Sequence, residues 1–168
     1  MKWTEGLIHV AMRAIVSAGG WVLIAGEYPG GSDHELYPLN VVDPTVARDQ
    51  SPDPRRHSLG ELIPDLVALR GRNLLIAEAK VRYDEKDHEK LTDLVGLHRD
   101  RLFRALETFS RERGFPQLEP VKTLILCPTL VFSSTSKAPT PSPGMSYLRV
   151  VSLNQGTFEG TLPLREIR

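Results

Sequence analysis

The chain contains a single cysteine, Cys127, no long apolar run and no excess of either sign of charge. One cysteine excludes an internal disulfide and a multi-cysteine zinc site, and it fits a reducing, cytoplasmic setting. The longest apolar runs, near 21–25 and 74–77, are far too short to span a bilayer. The 21 basic and 21 acidic residues cancel, which argues against broad nonspecific binding to nucleic acid. We therefore expect a cytoplasmic protein without a membrane partner.

Length and composition predict one globular domain over residues 1–168. A chain of 168 residues that is 40% hydrophobic and 25% charged can build one core and is too short for two ordinary domains. Prolines are frequent near 43–58 and predict a mobile loop there. The stretch near 133–146 is rich in Ser, Thr and Pro, which predicts a flexible excursion.

Hydrophobic periodicity predicts helices on either side of a β-hairpin. A first helix is expected over 4–18, with Thr4 as its N-cap and Gly19 and Gly20 as its stop. A second, continuous helix of about eight turns is expected from Asp84 to Gly114. Strands are expected at 21–25, 39–42, 62–69, 74–81, 121–127, 147–153 and 157–164. This order predicts an α/β fold with a mixed central sheet flanked by helices.

The predicted hairpin places two carboxylates opposite each other. Gly71 at the first position of a two-residue loop suits a type II′ turn, so each residue pairs with the one equally distant from the turn. Asp65 and Glu78 are equally distant. They are expected to form a non-hydrogen-bonded pair with Cβ atoms about 5 Å apart. Lys80 should project from the same face, because side chains alternate along a strand.

Two facing carboxylates need a positive charge. They repel each other, and burying them is costly unless something compensates. Mg²⁺ is typically held by one or two carboxylates with waters and a substrate phosphate, so Asp65 and Glu78 are candidate metal ligands. The alternative is an ordinary salt bridge, in which Lys80 neutralises the acid pair.

The arrangement of these residues resembles a known family signature. The segment from Pro64 and Asp65, a gap of twelve residues, and then Glu78, Ala79 and Lys80 is similar to the motif of the PD-(D/E)xK nuclease superfamily. The resemblance covers roughly residues 1–130 and implies a restriction-endonuclease-like αβββαβ core with the motif on its hairpin.

The resemblance also implies roles for individual residues. Asp65 and Glu78 would bind Mg²⁺, for which Mn²⁺ can substitute, and Lys80 would position or activate the attacking water. The backbone carbonyl of Ala79 is a further candidate metal ligand. Many members place an acidic residue of the first helix near the metal, and Glu5 is the matching candidate here.

The function that the resemblance implies is a magnesium-dependent nuclease, a phosphodiester hydrolase. Its substrate would be DNA, with RNA as an alternative, and cleavage of a duplex would require a homodimer or a partner subunit. The competing class is a catalytically silent subunit that keeps the nuclease fold and binds nucleic acid or a protein partner.

Arg99, Arg101 and Arg104 cluster on the second predicted helix. Guanidinium groups offer a fork of donors suited to phosphate, so these residues are candidate nucleic-acid contacts. The alternative is a solvated helix face.

Two further groups of residues lie near the predicted site in the sequence. His88, Glu89 and Lys90 lie near the start of the second helix and could approach the site, but a solvated helix start is the preferred interpretation. His9 follows Glu5 by one helical turn and could join the metal shell, but a surface or core histidine is the preferred interpretation.

Overall fold

The computed structural model describes residues 2–27, 36–42 and 61–160. The predicted loop near 43–58 lies outside the described residues. The helices and strands are α1 (Glu5–Ala18), β1 (Val22–Gly26), β2 (Val41–Val42), β3 (Glu61–Leu62), β4 (Leu66–Arg70), β5 (Asn73–Ala79), α2 (Glu85–Val95), α3 (Arg99–Arg113), β6 (Ile125–Ser133), β7 (Ser146–Ser152) and β8 (Gln155–Gly160). Two short 3₁₀ turns, Pro116–Leu118 and Val121–Thr123, connect α3 to β6.

Six strands form one mixed sheet in the order β1-β4-β5-β6-β7-β8. The pairs β5–β6 and β6–β7 are parallel, and the other pairs are antiparallel. Strands β2 and β3 form a separate two-stranded antiparallel sheet, so the strand predicted near 39–42 is present but does not join the main sheet. The predicted mixed α/β fold is confirmed, with three α-helices among the described residues.

Successive residues of β5 point to opposite faces of the sheet, and each face is covered by helices. Leu75 and Ala77 lie in a buried cluster with the apolar face of α1. Leu74 and Ile76 lie in a second cluster with the apolar residues of α2 and α3. Central strand β5 is therefore covered on both sides, which explains its nearly continuous apolar sequence.

The hairpin has the predicted register from Leu66 to Arg70, but the predicted cross-strand pair of Asp65 and Glu78 is not part of the ladder. Leu66 pairs with Ala77 and Arg70 with Asn73, and Gly71 has the positive φ, 59°, that its turn position requires. The predicted strand 62–69 is interrupted at 63–65, between β3 and β4. Pro64 has no amide hydrogen to donate to a ladder, so the pairing ends at Leu66 and the chain bends at Asp65.

Strand β6 differs from the prediction of a strand over 121–127. It begins at Ile125 and continues to Ser133, through Pro128. The amides of Ile125 and Ser133 donate toward β5, so by alternation the ring nitrogen of Pro128 faces β7. Strand β7 begins only opposite Thr129. Proline therefore removes no hydrogen bond at this position, and the strand passes through it.

The prediction of a single long helix is wrong. The chain forms two helices, α2 and α3, with a break at 96–98. Asp84 caps the start of α2 through the amide of Lys86, and Gly114 ends α3 with φ 76°, as predicted. The break falls at Gly96, and glycine disfavours a helix interior by about 1 kcal/mol. The apolar residues keep their helical spacing across the break, so periodicity alone did not reveal it.

The remaining elements agree with the predictions within a few residues. The side chain of Thr4 caps α1 and Gly19 ends it, and β1, β7 and β8 lie near their predicted positions. Residues 161–164, the end of the last predicted strand, lie outside the described residues. Residues 134–145 connect β6 to β7, and Ser136 in this segment accepts a hydrogen bond from the Tyr83 amide; its flexibility stays a prediction. No helix in the described part of the chain is long and apolar enough to cross a membrane.

A candidate acidic site at the end of strand β5

Four predicted site residues lie together at the carboxyl end of β5. Glu78 is the second-last residue of that strand, and Lys80 directly follows the strand. Asp65 lies in the bend before β4, beside the same strand end. Glu5 begins α1, and its Oε1 lies 3.8 Å from the Nζ of Lys80. The site is thus built from the two hairpin strands and the first helix.

Asp65 is held in place by backbone hydrogen bonds. Its amide donates to the carbonyl of Ala77 at 3.0 Å, and its Oδ2 accepts from the amide of Ala79 at 2.8 Å. The Asp65 carboxylate thus accepts the hydrogen bond that a backbone carbonyl would accept if the β4–β5 pairing continued. The side chain remains half-buried, so one carboxylate is fixed beside the end of β5.

Glu78 is almost completely buried, with 4% of its surface exposed. Burial, and then the neighbouring Asp65 carboxylate, raise the pKa of Glu78 to about 9. The Lys90 ammonium opposes this shift, since its Nζ lies 2.7 Å from Oε1 of Glu78. The proximity of Asp65 and Glu78 therefore carries an electrostatic cost that one lysine offsets only in part.

Lys80 is half-exposed and surrounded by acids. Burial lowers its pKa, but the carboxylates of Asp87, Glu5, Asp65 and Asp84 together outweigh burial and raise the pKa. Lys80 is consequently a charged ammonium at neutral pH, at the open side of the site.

His9 lies on α1 one turn after Glu5, fully buried, with Nε2 3.8 Å from Oδ2 of Asp65. Burial lowers its pKa, although the carboxylates of Asp65 and Glu5 oppose the shift, so the imidazole is neutral at pH 7. Of the two positions that the sequence left open, surface or core, the structure has the core, and the histidine also borders the acidic site. Its helical spacing from Glu5 was the signal for this.

Two residues of α2 join the site. The sequence interpretation ranked this second for Lys90 and did not name Asp87. Lys90 was placed with His88 and Glu89 on a solvated helix start, but it contacts Glu78. Asp87 is half-buried, and burial raises its pKa, with Asp84 and Asp65 acting in the same direction and Lys80 and Lys90 against it. Both lie on the side of α2 that carries the buried Leu91 and Leu94. Their helical spacing from these leucines could have indicated that they face the sheet.

The candidate nucleic-acid arginines line two different grooves. Arg101 and Arg104 border one groove with Pro38, Leu39 and Asn40. Arg99 borders another with Leu124, Ile125 and Leu126, and its guanidinium lies 5.2 Å from the centre of the Phe103 ring. Ile125 pairs with Asn73 at the start of β5, so the Arg99 groove lies toward the end of the sheet opposite to Glu78. The three arginines are therefore not one continuous surface.

Cys127 is buried, and burial raises the pKa of its thiol to about 11. Within 2–27, 36–42 and 61–160, no group of three or more His, Cys, Asp or Glu side chains has an arrangement that could hold a metal ion. The acids of the site are instead interleaved with Lys80 and Lys90.

No protein-family model, curated protein sequence or solved structure matches this chain.

Proposed function

We propose that the chain is a magnesium-dependent nuclease that hydrolyses phosphodiester bonds in DNA, with RNA as the alternative substrate. The observation that carries the proposal is the buried Glu78 beside Asp65, with the charged Lys80 next to them at the end of β5. The element order α1, β1, β4, β5, α2 with α3, and β6 supports a restriction-endonuclease-like αβββαβ core.

The donor atoms at this position suit Mg²⁺. Mg²⁺ prefers oxygen ligands and is commonly bound through one or two carboxylates, here those of Asp65 and Glu78. Burial and mutual repulsion disfavour ionisation of Glu78 in the absence of a cation, and a divalent ion would reverse this balance.

The backbone of Ala79 offers a third oxygen. The amide of Lys80 donates to Val131 in β6, whereas the amide of Ala79 donates to Asp65 on the other side. In a strand the carbonyl of a residue points to the same side as its amide, so the Ala79 carbonyl faces the segment before β4. Pro64 lies in that segment and has no N–H to donate to this carbonyl. Asp65, Glu78 and Ala79 would therefore hold the ion.

The residues around these ligands have separate roles. A bound Mg²⁺ supplies charge neutralisation at the phosphate and lowers the pKa of a coordinated water. Lys80, as a half-exposed ammonium, holds the attacking water and offsets the negative charge that develops on the phosphate. Glu5 orients Lys80 from α1, and the Ala79 amide orients the Asp65 carboxylate.

One observation favours the second candidate, a catalytically silent subunit. Lys90 already supplies a positive charge to Glu78 at 2.7 Å, as an internal salt bridge would. In that case the acids and lysines stabilise the fold, and neither metal binding nor cleavage is expected.

The test is incubation of supercoiled plasmid, linear duplex and RNA with the protein, with and without MgCl₂. We expect cleavage only with metal, and a rate at least about 100-fold lower for Asp65→Asn, Glu78→Gln and Lys80→Met, the effect of removing one group that stabilises a transition state. Glu89→Gln, an exposed acid on α2, is the matched control and should cleave like wild type. Metal-independent cleavage, or full activity in Glu78→Gln, would refute the proposal.

A further inference from the structure

Lys90 bridges the two segments that carry the proposed metal ligands. Its Nζ lies 2.7 Å from Oε1 of Glu78, the length of a charge-assisted hydrogen bond. The same ammonium donates to the carbonyl of Ile63 at 3.1 Å, two residues before Asp65. One cation thus joins the end of β5 to the segment that precedes Asp65 and β4.

A divalent cation and the Lys90 ammonium compete for the same carboxylate. Glu78 is 4% exposed, so water screens little of the repulsion between two cations placed on it. Lys90 itself is only partly buried, with 29% of its side chain exposed, and a lysine carries its charge on a flexible four-carbon stem. The buried Leu91 and Leu94 anchor α2 independently of Lys90. The ammonium is therefore able to move without displacement of the helix.

We infer that the Lys90 ammonium occupies the position of a cation beside Glu78 in the metal-free protein and that Mg²⁺ displaces it on binding. The inference rests on the proposed function and adds a regulatory element to the same site. Two consequences follow from the geometry. The metal-free site keeps a charge partner for its buried acid, and Lys90 weakens the affinity of the site for the metal.

The first experiment is a MgCl₂ titration by calorimetry of wild type, Lys90→Met and the control Lys86→Met. Lys86 is an exposed lysine one turn earlier on α2. Lys90→Met should bind Mg²⁺ at least about tenfold more tightly. The repulsion between the Lys90 ammonium and Mg²⁺ in a partly buried site is larger than the free energy that corresponds to a tenfold ratio of affinities. Without metal, Lys90→Met should melt at a lower temperature, and Glu78→Gln in the same chain should restore the melting temperature.

The outcomes separate this inference from the proposed function. If wild type binds Mg²⁺ and Lys90→Met binds it no more tightly, the inference is wrong and the proposed function stands. If only Lys90→Met binds Mg²⁺, Lys90 blocks the site and is not displaced, so the inference is wrong and the native chain is not a metal-dependent nuclease. If neither protein binds Mg²⁺, both are wrong.

A second experiment uses the wild-type chain and does not depend on how the variants fold. Chemical labelling of lysine amines, read by mass spectrometry, should increase at Lys90 on addition of MgCl₂, because the released ammonium becomes accessible. Labelling of Lys86 should not change. Unchanged labelling of Lys90 at a concentration of MgCl₂ that saturates the protein would overturn the inference.

Discussion

Glu78 is the residue whose chemistry depends most on its surroundings. In water a glutamate is ionised at neutral pH, but burial at the end of β5 and the adjacent Asp65 carboxylate favour its protonated form. The Lys90 ammonium acts in the opposite direction. A carboxyl group in this state gains from any additional cation, which is why Glu78 is the residue on which metal binding and pH should act together.

The first prediction concerns the pH dependence of stability. The pKa of Glu78 is raised from 4.5 to about 9 in the fold. Its contribution to the free energy of unfolding is therefore fully present below pH 4.5 and is lost as the pH rises toward 9. The melting temperature of metal-free wild type should therefore fall over this range more steeply than that of Glu78→Gln. The stabilisation of wild type by MgCl₂ should increase over the same range, because the metal binds the ionised carboxylate.

Thermal melts at several pH values, with and without MgCl₂, check this prediction. Glu78→Gln is the control, because it shares every other titrating group with wild type. A difference between the two pH curves therefore reports Glu78. Parallel curves for the two proteins in the absence of metal would mean that Glu78 is already ionised through its contact with Lys90.

At the scale of elements, the β4–β5 hairpin is attached to the rest of the fold at its turn as well as at the acidic site. The guanidinium of Arg72, in the β4–β5 turn, donates to the hydroxyl of Thr123 and to the carbonyls of Gln117, Leu118 and Pro120. These groups belong to the two 3₁₀ turns before β6 and to Pro120 between them. The same hydrogen bonds thus fix the turn and the start of the parallel strand.

We predict that Arg72→Ala lowers the free energy of unfolding by about 2 kcal/mol or more, because a charged donor to several carbonyls is removed. Urea denaturation measures the change. Lys122→Ala, an exposed basic residue in the same connection, should change stability by less than about 0.5 kcal/mol. Equal effects of the two substitutions would show that the hydrogen bonds of Arg72 contribute nothing to stability.

The arginines of α3 give a second prediction at this scale. Arg101 and Arg104 share one groove, whereas Arg99 lies in another. If the first groove binds the nucleic-acid backbone, the double substitution Arg101→Ala and Arg104→Ala should lower the slope of log affinity against log salt. The expected decrease is about 0.9 for each duplex-DNA phosphate that the variant no longer neutralises. The buried Leu102 and Leu106 keep α3 packed, so the variant should remain folded.

Binding measured at several salt concentrations decides between the two interpretations of these arginines. Arg99→Ala is the control, because its groove lies toward the other end of the sheet and its slope should remain that of wild type. An unchanged slope in the double variant would return Arg101 and Arg104 to a solvated helix face.

At the scale of the whole molecule, the site lies at one edge of the sheet, between the helix layers that cover its two faces. The parallel strands β5, β6 and β7 all have their carboxyl ends at one edge of the sheet, the edge at which open α/β sheets commonly bind ligands. Helix α1 covers one face and α2 covers the other. Residues from both layers therefore reach the end of β5, and a mixture of acids and lysines collects there although the chain has no net charge.

The sequence alone determined the local structure and the hairpin register. Alternation along 74–79, the caps Thr4 and Asp84 and the glycine of the turn act over a few residues, so their effects are readable without a fold. The same local rules predicted Asp65, Glu78 and Lys80 at one strand end, although Asp65 reaches it from the bend before β4 and not as a strand residue. The family resemblance and the nuclease function remain predictions.

Only the tertiary structure decided which distant residues complete the site. Whether Lys90 meets Glu78 or water depends on how α2 lies against the sheet, and His9 reaches Asp65 only because α1 covers the other face. The break at Gly96 and the passage of β6 through Pro128 were likewise decided by packing and by where β7 begins. Contacts between residues far apart in the chain depend on the relative placement of whole elements, and no periodicity within one element encodes that placement.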